Sequence, residues 1–138
     1  MRKTQIVLLI LILIGLNSCA QDLTCSDFKN GTFIIPNKYG ELLNHKLIRN
    51  ENSQMEFYDS TENKKINYGT VEWINDCSYR LKFDETKMDL RDDLKYINKN
   101  GGIITEMTKI EGKCFYYKSV LIVDGKVAKR IDGSFCKE

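Results

Sequence analysis

The sequence predicts a mainly β protein: an antiparallel meander of about seven or eight strands curled into a small barrel, with one short helix over about residues 86–100. Three observations carry that reading. Residues 77–84 alternate without a break, Cys77, Tyr79, Leu81 and Phe83 against Ser78, Arg80, Lys82 and Asp84, which is the pattern of a half-buried strand. Asp124-Gly125 stands between two strand-like runs, 114–123 and 127–135, and Asp-Gly is a strong hairpin signal because both turn positions tolerate positive φ. Turn-forming clusters recur along the rest of the chain, so sequential strands pair with their neighbours, and about eight of them close into a barrel without exposed edges.

The elements follow in order. A short apolar run, 31–35, is ended by Pro36-Asn37-Lys38-Tyr39-Gly40. Runs 46–49 and 54–59 flank Asn50-Glu51-Asn52, which reads as a hairpin turn, and residues 60–64 turn into a strand over 66–75. After the alternating strand comes the helix. Thr86 with Asp89 three residues on makes a capping box, Leu90, Leu94 and Ile97 form one apolar stripe, and Asn100-Gly101-Gly102 is the stop. A strand over 103–110, a turn at Glu111-Gly112 and the Asp-Gly hairpin complete the series.

Ahead of this single domain, residues 25–138, lies a leader. Met1-Arg2-Lys3 carries two positive charges, and residues 6–16 are aliphatic except for Gly15. The run is far shorter than the ~20 residues that span a bilayer, so residues 1–18 read as a signal peptide. Leu16-Asn17-Ser18-Cys19 resembles the bacterial lipobox. That resemblance implies cleavage before Cys19, lipidation of Cys19, a tether over 19–24 and attachment to an envelope membrane, which two acyl chains make essentially permanent. Cleavage after Ser18-Cys19-Ala20 is the competing reading and would release a soluble secreted protein.

Arg2 and Lys3 account for the formal charge of +2, so removal of the leader leaves equal numbers of basic and acidic residues. A neutral chain lacks the basic footprint of a nucleic-acid binder. Four cysteines remain beyond Cys19: Cys25, Cys77, Cys114 and Cys136. In an exported chain an even set reads as two disulfides. No short C-x-x-C spacing occurs and the one histidine, His45, is distant in sequence, which disfavours a metal site. Folding at Asp124-Gly125 brings Cys114 opposite residue 135 or 136, within one residue of register, which makes Cys114 with Cys136 a cross-strand bridge and leaves Cys25 for Cys77; pairing 25 with 136 and 77 with 114 is the main alternative.

At the level of architecture alone, the predicted barrel resembles the lipocalin-like small barrels. Cys25-Ser26-Asp27-Phe28-Lys29-Asn30-Gly31-Thr32-Phe33, with Asp76-Cys77-Ser78-Tyr79 later, is similar to a group of short exported Bacteroidetes proteins. Neither resemblance implies a catalytic residue.

Candidate chemistry is sparse. His45 beside Lys46 reads as a surface residue at a strand start. Glu72 alternates with Trp73, so it reads as solvent-facing or paired across a strand, and Asp84-Glu85 and Asp92-Asp93 read as ordinary polar faces. No D-x-D-x-D-G loop supports calcium, and no cofactor or catalytic residue is expected. Aromatic residues, Trp73, Tyr79, Phe83 and Tyr117 above all, are the candidates for lining a pocket, with filling of the core as the competing role. The expected function is a non-enzymatic envelope lipoprotein that binds a partner protein or a small apolar ligand. The alternative is a hydrolase inhibitor that inserts a loop, 36–44 or 59–65, into its target's cleft.

Overall fold

The computed structural model describes residues 22–36, 45–60 and 63–138; the leader, Cys19 and most of the two loops considered for inhibition, 37–44 and 61–62, lie outside the described residues. Among the described residues, eight antiparallel strands pair each with the next: β1 (Asn30–Ile35), β2 (His45–Asn50), β3 (Ser53–Ser60), β4 (Asn63–Asn75), β5 (Ser78–Phe83), β6 (Ile103–Glu111), β7 (Cys114–Val123) and β8 (Lys126–Lys137). β8 returns to β1 and closes the barrel. One 3-10 turn (Cys25–Phe28) precedes β1, and one helix, α1 (Asp92–Lys99), lies between β5 and β6.

Turn chemistry fixes the register. Asp124 and Gly125 both take positive φ, 49° and 72°, so the β7–β8 hairpin turns where the sequence signals it. A bulge between Leu121 and Ile122 then shifts the register by one residue, so that Cys114 stands opposite Cys136 and Phe115 opposite Phe135. The β2–β3 turn is held from two sides: the Glu51 amide donates to Asn30 Oδ1 at 2.8 Å, and the Trp73 indole donates to the Glu51 carbonyl at 2.9 Å.

The helix starts later than the capping box predicts. Asp84 captures Thr86 first, accepting from its hydroxyl at 2.6 Å and its amide at 3.0 Å, and these bonds hold the Asp84 carboxyl below the usual range. With Thr86 engaged in this local turn, the helix begins at Asp92 after Arg91 as N-cap, and Leu90 is buried ahead of it rather than within it. Asn98 explains why α1 stops where it does against the sheet. Its side-chain oxygen accepts from the Phe83 amide and its nitrogen donates to the Phe83 carbonyl, each at 2.8 Å, which satisfies the strand end that β6 does not reach.

An antiparallel meander sends alternate connections to opposite ends. The N-terminal segment and the β2–β3, β4–β5 and β6–β7 turns share one end, and it is closed. Phe28, Phe33, Leu47 and Phe115 are fully buried there, with Met107 and Phe135 nearly so. Phe28 meets Phe115 edge-on at 4.7 Å, and Phe115 meets Phe135 edge-on at 5.0 Å. Both disulfides, Cys25–Cys77 and Cys114–Cys136, staple this end. Closure of the sheet is short: β1 and β8 pair at Phe33 with Lys137 and Ile34 with Cys136.

Candidate functional site

Among the described residues, the half of the barrel remote from the disulfides is not filled. Eight strands leave an interior just wide enough for side chains or for one small ligand. Here a cavity of about 290 Å³ remains, with Leu81, Phe83, Ile103 and Ile131 on apolar walls and Gln54, Glu56, Thr105 and Ser119 as polar groups. Its mouth is marked by Ile35, His45 and Tyr58, near the ends of β1, β2 and β3. A more open depression of about 700 Å³ adjoins it along Ile35, His45, Tyr117 and Ile131, which line both, and extends over the outward-facing Tyr116 and Lys118.

The polar groups arise from β2 and β3. Cross-strand partners share a face of the sheet. Leu47 is fully buried in the core and pairs with Glu56, and Arg49 pairs with Gln54, so Gln54, Glu56 and Tyr58 face inward while Met55 and Phe57 face out. A hydrophobicity reading of β3 alone would favour the opposite face.

Beneath the cavity floor lies Arg49, 2 % exposed. Its guanidinium donates to Gln54 Oε1 from Nε at 3.0 Å and Nη2 at 2.7 Å, to the Tyr79 hydroxyl at 2.8 Å and to the Phe28 carbonyl at 3.1 Å. It also stacks 4.4 Å from the Tyr79 ring. A buried cation is tolerated only when hydrogen-bonded in this way. The chain of bonds continues upward, since Gln54 Nε2 donates to Glu56 Oε1 and the Tyr58 hydroxyl donates to Glu56 Oε2, each at 2.6 Å. Thr105 and Ser119 share a further hydrogen bond of 2.7 Å on the facing wall.

Burial makes two of the cavity tyrosines, Tyr58 and Tyr117, harder to ionise. Tyr58 goes well above its ordinary value through desolvation and the adjacent Glu56 carboxylate. Tyr117 is pushed up to about 12, again by desolvation first, then by Tyr79 and Glu56, with Arg49 opposing. Neither phenol is poised to act as a base near neutrality.

Of the residues the sequence singles out for a pocket, Tyr79, Phe83 and Tyr117 come together on the cavity wall. Trp73 does not line it. It packs toward the closed end, 5.1 Å from the Tyr79 ring, with Lys29 over its indole at 5.0 Å. His45 stands at the mouth with its ring edge-on to Tyr58 at 4.8 Å. Glu72 is outward and pairs across the strand with Arg80 at 3.2 Å. Arg49, Gln54, Glu56 and Tyr58 were not singled out by sequence. Their only signal is the spacing of Gln54, Glu56 and Tyr58 at every second position, which is silent on which face is inside.

Among the described residues no group of three or more metal-ligating side chains converges, and no helix is long and apolar enough to cross a membrane. The chain matches no protein-family model, and no curated protein or solved structure shows significant similarity to it.

Proposed function

We propose that this chain is a non-enzymatic binding protein of the bacterial envelope, tethered through a lipid on Cys19, whose barrel takes up a small, largely apolar molecule. The observation that carries this reading is the interior cavity of about 290 Å³, with apolar walls and a few fixed polar groups, above a sealed floor. Small-molecule sites have that composition. The described polar groups of the floor are already bonded to one another, which suits retention of a ligand better than turnover.

The tether and the cavity are compatible. Cys25 is bonded to Cys77 at the closed end, and only five residues separate it from Cys19. A lipid there would hold the closed end toward the membrane, leaving the mouth at the opposite end free to exchange ligand with the surrounding medium.

The test is fluorescence of a neutral naphthylamine dye with the full chain carrying Cys19→Ser, so that no detergent competes for the cavity. Dye emission should rise with this protein and not with a version that also carries Ile131→Trp, which fills the mouth from a half-exposed position. No rise in the folded parent protein, or an equal rise in both, would remove the cavity as the binding site. Fractionation tests the tether separately: the native chain should sediment with membranes, and the Cys19→Ser chain should not.

A further inference from the structure

Resting on the cavity-binding reading, we infer that the barrel selects an organic ammonium compound, whose cationic head meets the Glu56 carboxylate and whose apolar body lies along Leu81, Phe83 and Ile103. Glu56 is the one acidic side chain on the cavity lining, and no lysine or arginine lines it, among the described residues. Arg49 is the nearest cation, but it lies under the floor. Its donors are turned to Gln54, Tyr79 and the Phe28 carbonyl, away from any occupant.

The geometry turns buried Arg49 and half-buried Glu56 into a dipole with its negative end toward the cavity. Gln54 separates the two charges, its carbonyl oxygen held by the guanidinium and its amide nitrogen held by the carboxylate. The carboxyl group is therefore held in a fixed orientation, one oxygen by Gln54 and the other by Tyr58. A carboxylate has about four acceptor sites, and Gln54 and Tyr58 occupy two, which leaves room for an ammonium N–H. Tyr58, Tyr79 and Tyr117 surround the same space, and aromatic faces add attraction for a cation. The field at Tyr117 agrees in sign, because Glu56 opposes ionisation of its phenol more than Arg49 favours it. An anionic amphiphile would meet this carboxylate head-on, with no free cation on the lining to offset it.

Three probes of one size separate the possibilities: hexylammonium, hexanol and hexanoate, titrated calorimetrically into the full chain carrying Cys19→Ser at about pH 8, where an ordinary imidazole is neutral. Hexylammonium should bind at least tenfold more tightly than hexanol, and hexanoate should be weakest. Glu56→Gln keeps the side-chain shape and the possibility of bonding Tyr58. It should bring hexylammonium down to the level of hexanol while leaving hexanol unchanged. Equal binding of all three, a preference for hexanoate, or a preference for hexylammonium that survives in Glu56→Gln overturns the ammonium assignment while the cavity-binding reading stands. Failure of all three probes to bind the folded protein overturns both.

Discussion

Arg49 and Glu56 face the same barrel interior yet do not touch; Gln54 stands between them, accepting from the guanidinium at 2.7 Å and donating to the carboxylate at 2.6 Å. A direct ion pair would neutralise both groups at one point. The inserted amide instead keeps the cation in the floor and the anion at the cavity, and it couples the closed end of the barrel to the open one.

Replacing Arg49 by Met keeps much of the volume and removes the donors. The Gln54 carbonyl oxygen, the Tyr79 hydroxyl and the Phe28 carbonyl then lose their bonds in a buried setting. A loss of about 3 kcal/mol is expected for breaking such a network, equivalent to a fall of roughly 10 °C in Tm for a domain of this size. Calorimetry of Arg49→Met measures it. A shift within 2 °C would mean that the network contributes little.

Asn98→Ala should act locally. The side chain bonds both backbone groups of Phe83, so its loss is worth about 1–2 kcal/mol. Amide hydrogen exchange at Phe83 should accelerate strongly while the Phe115 and Phe135 amides in the closed end stay protected. Unchanged exchange at Phe83 would show that water or a neighbour replaces Asn98.

Stability should fall at alkaline pH. An unfolded tyrosine ionises near pH 10, whereas Tyr117 in the folded protein is raised to about 12 and Tyr58 higher still. Above about pH 10 the unfolded chain releases protons that the folded barrel retains. The contribution is therefore complete below that point and is lost as the pH rises toward the folded values. Tm should decline across this window, and Tyr117→Phe should decline less steeply. Parallel slopes for the two proteins would contradict the assignment of Tyr117.

The two staples differ in reach. Cys25–Cys77 spans 52 positions and Cys114–Cys136 spans 22. Loop entropy assigns them about 4 and about 3 kcal/mol respectively, and the longer one also holds the segment that seats Phe28 in the core. The Cys25→Ala/Cys77→Ala protein should therefore melt lower than the Cys114→Ala/Cys136→Ala protein. The reverse order would mean that the cross-strand bridge anchors the barrel closure.

Local pattern was enough for several features. Alternation in residues 77–84 gives the inward set of β5, with Tyr79 and Leu81 buried. Asp124-Gly125 sets a hairpin, and counting back from it brings Cys114 to within one residue of Cys136; the bulge between Leu121 and Ile122 supplies the last step. These succeed because the information sits within one strand or one turn. Trp73 reads as a pocket residue by type alone, and its position near the closed end follows from where β4 crosses the packed half of the interior.

By itself the sequence determined strand content, turn positions, and a cysteine pairing that follows from hairpin register. Only the tertiary structure decided that Arg49, Gln54, Glu56 and Tyr58 face inward, that α1 waits until Asp92, and that the described residues pack one end of the barrel and leave a cavity toward the other. The physical reason is that a period of two describes both faces of a strand equally well. Which face becomes the interior depends on a partner strand, here on Leu47 fixing Glu56 across β2 and β3, and on the closure between β1 and β8, whose residues lie about a hundred positions apart.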